Sequence, residues 1–200
     1  RQAEARLGRG LLTVAGHYDL QRGAFDLQVT SDIDPKSLLV FAPPEAHDLA
    51  AQVHLGRNPR FEVRYRLLPE LGTIPTLEGW IEARDLKVRG VPFRGVRVAF
   101  ELHGPELTIR EAVLTAAEGK LTGFGRYHLE SSDFSYHIDS RIDPTRLMPL
   151  LGPGVRRILE PAAFVTPPHV VADVRADFVD PDNFAYDAVV TAGRCRYRGV

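Results

Sequence analysis

The feature of this 200-residue chain that most constrains its fold is an internal repeat with a period of 109 residues. "SDIDPKSLLVFA" at residues 31–42 returns as "SRIDPTRLMPLL" at 140–151, and "LTVAGHYDL" at 12–20 returns as "LTGFGRYHL" at 121–129. The alignment needs no gap, and 21 of its 91 residue pairs are identical, against about five or six expected from composition alone. We therefore expect one unit at about residues 12–120 and a second, partial unit at 121–200, both belonging to a fragment of a longer repeat array.

Strand patterns dominate each unit. "RFEVRYRL" at 60–67, "GVRVAFEL" at 95–102 and "FSYHIDSRI" at 134–142 alternate apolar with charged or polar residues. Such alternation predicts strands that have one apolar and one solvated face, as in antiparallel sheets. Turn-forming residues separate the strands, for example "QRG" at 21–23 and "HGPE" at 103–106. The fold class predicted from the residues is mainly β, an antiparallel meander.

The Ile-Asp-Pro motif of each unit predicts a short helical excursion from the sheet. Asp34 and Asp143 can cap a helix with their carboxylates, while Pro35 and Pro144 occupy a first helical position that needs no N–H. "PKSLLVF" and "PTRLMPLL" then form one or two helical turns, and a second short helix follows at "PEAHDLAAQV" and "GVRRILEP". We interpret both aspartates as caps and not as general acids.

Composition excludes several classes of function. A net charge of −1 gives no electrostatic reason to expect nucleic acid as a partner, and no apolar run is long enough to span a membrane. The single cysteine, Cys195, excludes an internal disulfide and makes a Cys-based zinc site improbable. Because the repeat aligns Cys195 with Leu86, we expect a small, buried, apolar position there.

The motifs that suggest catalysis or cofactor binding are weak. The seven histidines lack metal-ligand spacing beside carboxylates, and the repeat replaces them with other residues, so we expect solvent-facing strand histidines and no metal or cofactor. "TGFGR" at 122–126 is followed by continued strand alternation, so its glycines are predicted to relieve crowding at a bend and not to bind phosphate. No serine lies in a G-x-S-x-G context. We therefore expect no enzyme activity.

The candidate ligand-binding residues are those on the apolar side of the strands. Two interpretations of that side remain open: it packs as the closed core of a sandwich or barrel, or it lines an open groove. A strand of six to eight residues is about 20–26 Å long, which is comparable to an extended acyl chain. If the groove is open, nine residues are predicted to contact lipid: Phe61, Val63, Tyr65, Val96, Val98, Phe100, Phe134, Tyr136 and Ile138.

These motifs resemble those of the AsmA-like proteins of Gram-negative bacteria, including their TamB-like relatives. The resemblance lies in a "G-x-Y-x-L" strand, an alternating strand that ends in "I-D-P", a Leu-rich helical turn, and "VPFRGVRVAF", "LTI" and "GKLTG" within 91–123. It implies a curled, groove-like periplasmic sheet, anchored to the inner membrane by a segment outside these residues, that carries phospholipid toward the outer membrane. The implied partners are phospholipid and neighbouring repeat units. The alternative is a non-enzymatic periplasmic scaffold or an assembly factor for outer-membrane proteins.

Overall fold

The structure, a computed structural model, describes residues 2–7, 10–34, 51–68, 74–177 and 184–198. The described chain is mainly β, as the sequence predicts. Its helices are a 3-10 helix (Pro144–Leu150) and α1 (Pro153–Leu159). Its strands, in chain order, are β1 (Gln2–Leu7), β2 (Gly10–Asp19), β3 (Ala24–Ser31), β4 (Val53–Leu55), β5 (Arg60–Leu67), β6 (Thr76–Val88), β7 (Val91–His103), β8 (Glu106–Thr115), β9 (Lys120–His128), β10 (Asp133–Ser140), β11 (Ala162–Phe164), β12 (His169–Asp177), β13 (Phe184–Thr191) and β14 (Cys195–Tyr197).

Twelve of these strands form one antiparallel sheet in the order β1-β2-β3-β5-β6-β7-β8-β9-β10-β12-β13, with β4 paired to the end of β6. Strands β11 and β14 pair separately. The predicted antiparallel meander is thus confirmed, and the described sheet does not close on itself. Each strand of the main path pairs with a strand close to it in sequence.

The two halves of the chain share strand order and pairing register under the 109-residue shift. Leu12 lies opposite Ser31 in the β2–β3 pair, and Leu121 lies opposite Ser140 in the β9–β10 pair. The β4–β6 and β11–β14 pairs correspond in the same way, so the single strand β6 has two counterparts, β13 and β14. The repeat seen in the sequence is therefore a repeat of pairing geometry. Membership of a longer array stays a prediction.

The buried core is small and lies at the end of the β6–β7 hairpin, beside the 3-10 helix. Its cluster contains Leu86, Val91, Phe93, Ala116 and Ile142. The sequence pattern had placed Ile142 in the alternation of β10, but β10 ends at residue 140 and Ile142 is only 1% exposed. Ile142 lies beyond the end of the strand and packs into this core, because burying its apolar side chain there removes it from water.

A break in strand alternation connects the sheet to this core. Asp85 has a positive φ of 54°, and the buried residues Ala83 and Leu86 on either side of it are three positions apart instead of two. Regular alternation would send Leu86 to the opposite face of the sheet. Val96 and Leu114 of the sheet pack against the same cluster as Leu86. The apolar side of the sheet therefore runs without interruption into the core.

The predicted cap at Asp143 is confirmed. Its Oδ1 accepts hydrogen bonds from the Thr145 backbone N at 2.9 Å and from the Thr145 hydroxyl at 2.7 Å, and Pro144 begins the helix. The helix is of the 3-10 type, and α1 follows it at the predicted second helix. Asp34 is described, but the first helix predicted after it, at residues 35–41, lies outside the described residues. Most of the second, predicted at residues 44–53, lies outside them too, and its last residue, Val53, begins strand β4 instead.

The expectation for Cys195 is wrong, because its side chain is exposed. Leu86, its counterpart, is buried by Val91, Phe93 and Ile142, which all follow it in the chain. Burial at this position depends on neighbours from elsewhere in the chain and is not a property of the β-strand alone.

Candidate functional site

All nine residues predicted to contact lipid lie on one face of the sheet, here called the apolar face. Residues directly opposite each other in an antiparallel pair project to the same side, so the pairing register defines rows across the sheet. Three rows cross the six strands from β5 to β10, and a fourth row, through Val96, joins Ala83 to Leu114. The three rows are Phe61-Ile81-Val98-Ala112-Gly123-Ile138, Val63-Gly79-Phe100-Ile109-Gly125-Tyr136 and Tyr65-Leu77-Leu102-Leu107-Tyr127-Phe134.

No residue in these rows carries a charge, although the face is reached by solvent. Each of the nine predicted residues is partly exposed, and Ile81 between them is 42% exposed. A sealed sandwich core would bury such residues almost completely. The fully buried cluster lies elsewhere, at the hairpin end. The apolar face is thus a broad, accessible hydrophobic surface.

A β-bulge in β8 keeps the apolar residues of both halves of that strand on the apolar face. The register of β8 shifts between Ile109 and Ala112, so that Ala99 lies opposite Glu111 while Phe100 lies opposite Ile109. One extra residue, Arg110, is accommodated there. Without the bulge, one half of β8 would present its polar side chains to the apolar face.

One part of the apolar face forms a groove of about 670 Å³. Three predicted residues, Phe134, Tyr136 and Ile138, line it. The other six predicted residues share the face but do not line this groove. Besides Arg126, four apolar groove residues were not predicted, although their alternation in β8, β9 and β12 would have revealed them: Leu107, Ile109, Tyr127 and Val174.

The floor of the groove is shaped by two glycines beneath the ring of Tyr136. A Cβ on Gly123 would lie 2.7 Å from Tyr136 Cε1, and a Cβ on Gly125 would lie 2.4 Å from Tyr136 Cδ2. The glycines were predicted to relieve crowding at a bend, but they lie inside the continuous strand β9 and make room for an aromatic ring. Burial raises the pKa of the Tyr136 hydroxyl above its usual value.

The opposite face of the sheet carries cross-strand ion pairs and meets water. Arg64 Nε donates to Asp26 Oδ1 at 2.9 Å, and Arg66 Nη2 lies 2.6 Å from Glu78 Oε1. The hydrogen bond from Arg64 is the main reason why the pKa of the Asp26 carboxyl lies below its usual value. The sheet is therefore amphipathic, with one face suited to hydrocarbon and the other to solvent.

Two histidine–carboxylate pairs on this charged face were missed from the sequence. His137 Nδ1 is hydrogen-bonded to Asp173 Oδ1 at 2.9 Å, and His169 Nε2 to Asp139 Oδ1 at 2.9 Å. Phe124 stacks on the His137 ring with centroids 5.0 Å apart. The partners belong to different strands, so only the register brings them together. Among the described residues, no three His, Cys, Asp or Glu side chains are grouped closely enough to hold a metal ion.

Comparison of the chain with protein-family models, curated proteins and solved structures finds no match in any of the three. The likeness to AsmA-like proteins accordingly rests on the motifs of the sequence. Neither described helix combines the length and the apolar character that crossing a bilayer requires.

Proposed function

We propose that this chain is a non-enzymatic lipid-binding segment whose apolar face shelters the acyl chains of a phospholipid or another long-chain lipid. The resemblance to AsmA-like proteins further suggests a periplasmic location and transport between the inner and outer membranes. Both parts of the proposal are testable independently, because lipid binding is a property of the purified chain.

The observation that carries the proposal is the length of the uncharged rows on an accessible face. Each row crosses six strands, and at about 4.8 Å between strands it measures about 24 Å. One leaflet of a bilayer contributes about 15 Å of hydrocarbon thickness. A row is therefore longer than the hydrocarbon depth of one leaflet and can cover much of an acyl chain.

The chemistry of the face favours hydrocarbon over a polar ligand. Acyl chains need no hydrogen-bonding partners, and the groove offers almost none, since its lining is aliphatic and aromatic apart from Arg126. Arg126 lies between Gly125 and Tyr127 of the apolar rows, so its side chain belongs to the opposite face. Its volume of about 670 Å³ lies within the usual range of ligand-binding pockets. Exposed apolar surface of this extent normally marks a binding surface.

The direct experiment is mass spectrometry of an organic extract of the purified chain, prepared without detergent. We expect phospholipid to co-purify in a defined ratio to protein. A chain that is folded, free of lipid after such a preparation and unable to take up added phospholipid would contradict the proposal.

A pair of substitutions tests whether the apolar face is the lipid surface. Val98 lies on the apolar face between Ile81 and Ala112, whereas Val113 is similarly part-exposed on the charged face opposite Arg97. We expect Val98→Asp to remain folded, because its carboxylate keeps contact with water, and to lose bound lipid.

The control Val113→Asp should retain both fold and lipid, since its carboxylate gains a cationic neighbour. Circular dichroism melts and lipid content are measured on the same samples. Unfolding of Val98→Asp alone, from the cost of several kcal/mol for a sealed and unpaired carboxylate, would show that the apolar face is a closed core.

The alternative function, a periplasmic scaffold or assembly factor, is favoured by one observation. In β13, Tyr186, Val189 and Val190 are all more than half exposed. Exposed apolar residues on a strand can contact another protein. A lipid-free chain that captures an extended peptide along β13, detected by NMR shifts confined to that strand, would favour the scaffold.

A further inference from the structure

A second cavity, the hairpin cleft, lies at the end of the apolar face. It has a volume of about 710 Å³ and opens between the β6–β7 hairpin and the 3-10 helix. Its floor is apolar and includes Leu86, Phe93 and Ile142 of the core. Because Val96 and Leu114 pack against the same cluster, this floor is continuous with the rows of the apolar face.

The acidic groups of the hairpin cleft are already neutralised by arginines. Glu118 Oε2 lies 3.1 Å from Arg146 Nη1, and Asp85 Oδ2 lies 3.3 Å from Arg57 Nε. Asp85 and Glu118 are the acidic residues among those that line the cleft. They therefore contribute little negative charge to bind or repel a ligand.

Three lining cations remain without such compensation. Lys87, Arg89 and Arg94 are exposed, and within the described residues none has a carboxylate oxygen within 4.0 Å. Arg89 Nε instead donates to the neutral Gln52 Oε1 at 2.6 Å. The rim of the cleft is thus locally positive although the whole chain has a net charge of −1.

The backbone conformation at Arg89 does not favour arginine, which indicates that the arginine side chain itself has a role at this position. Arg89 and Gly90 both have positive φ, 46° and 83°, as in the two-residue type I′ turn, which favours Asn, Asp or Gly. Arg198, at the equivalent position of the second unit, also has a positive φ of 54°. An arginine held twice in an unfavourable conformation suggests a functional side chain.

From this cavity, its charge and its turn we infer that the hairpin cleft binds the phosphate headgroup of an anionic phospholipid, whose acyl chains continue over the apolar face. This rests on the proposed function and makes it more specific. Phosphate is the chemistry that lysine and arginine donors recognise, and the apolar floor accommodates the first methylene groups behind it. A zwitterionic headgroup carries a cation beside its phosphate, and the positive rim would repel that cation.

The test compares two probes with identical short acyl chains, phosphatidylglycerol and phosphatidylcholine, titrated below micelle-forming concentrations by isothermal calorimetry. We expect phosphatidylglycerol to bind about tenfold more tightly, equivalent to about 1.4 kcal/mol. Salt should reduce this preference. The free headgroup glycerol phosphate should bind far more weakly than the lipid, because it lacks the contacts of the tails.

The variant Lys87→Gln/Arg89→Asn/Arg94→Gln removes the three rim cations. We expect it to bind the two lipids equally, with affinity for phosphatidylcholine unchanged. Asn suits the type I′ turn, so the Arg89 change should not impair folding. A matched control, Arg60→Gln/Arg97→Gln/Arg175→Gln, removes three cations from the charged face and should keep the preference for phosphatidylglycerol.

Each outcome bears on a different claim. Equal binding of both lipids by the unaltered chain, or a preference that survives the rim variant, would overturn the headgroup site and leave lipid binding intact. Glycerol phosphate binding as tightly as phosphatidylglycerol would overturn the assignment to a lipid and indicate a site for free phosphate esters. Failure of both lipids to bind would refute the proposed function and the headgroup site together.

Discussion

The most direct test of the groove architecture is the substitution Gly125→Ala. The added Cβ would lie 2.3 Å from the Ser135 carbonyl oxygen and 2.4 Å from Tyr136 Cδ2, both well inside van der Waals contact. The ring can rotate aside, but the carbonyl belongs to the β9–β10 ladder and cannot move without shifting β10. Such overpacking destabilises the folded state by about 1–3 kcal/mol. Alanine also lowers the conformational entropy of the unfolded chain relative to glycine, which stabilises the fold by only about 0.4–1 kcal/mol. We expect a net loss of about 1–2 kcal/mol in the free energy of unfolding.

The measurement is urea denaturation followed by circular dichroism, with the midpoint and slope fitted separately. Gly154→Ala in α1 is the matched control, because its Cβ meets nothing within 4 Å and alanine favours a helix over glycine by about 1 kcal/mol. In a double-mutant cycle, Gly125→Ala should cost less in a Tyr136→Ala background than in the unaltered chain, since the ring no longer opposes the new methyl group. If Gly125→Ala were as stable as the unaltered chain, the absence of a Cβ at residue 125 would not be needed to accommodate the Tyr136 ring, and the explanation of the groove floor would be wrong.

Two further predictions concern stability. Asp143→Ala should lower the free energy of unfolding by about 0.5–2 kcal/mol through loss of the bond to Thr145, while Asp143→Asn should cost much less, as thermal melts of both variants would show; equal losses would argue against capping. Because its pKa is lowered when folded, Asp26 contributes stability above about pH 4, and this contribution disappears as the pH falls through the folded pKa. The pair with Arg64 is substantially exposed, so Asp26→Asn should cost about 0.2–1 kcal/mol at pH 7 and progressively less as the pH falls below about 4, measured by urea denaturation across this pH range; a loss that does not shrink with falling pH would contradict the linkage.

The sequence predicted the features that depend on local alternation. The patterns of β5, β7 and β10 placed all nine candidate residues on one face, because side-chain direction in a strand follows from parity. Bulges and positive-φ residues are not visible in such a pattern. At Asp85 the alternation of side chains between the two faces is interrupted, so that Leu86 enters the core. Only the positive φ of Asp85 reveals this interruption.

Features that depend on register were beyond the sequence. His137 meets Asp173 because β10 pairs with β12, and a one-residue slip would separate them. The burial of a given position also depends on distant neighbours. The expectation for Cys195 failed for this reason, since its strand resembles that of Leu86 but its surroundings do not.

The meander described above has a kinetic consequence. Each pairing in the main sheet joins strands that are close in sequence, so no step of folding requires distant parts of the chain to meet. Sheets with many non-local pairings fold slowly because loop closure precedes any energetic gain, and this sheet largely avoids that delay. Folding can begin at any hairpin and extend strand by strand in both directions, as in other repeat proteins. We therefore expect opening in the reverse order, with amide protons at the outer strands exchanging first and those of β6, β7 and β8 exchanging last.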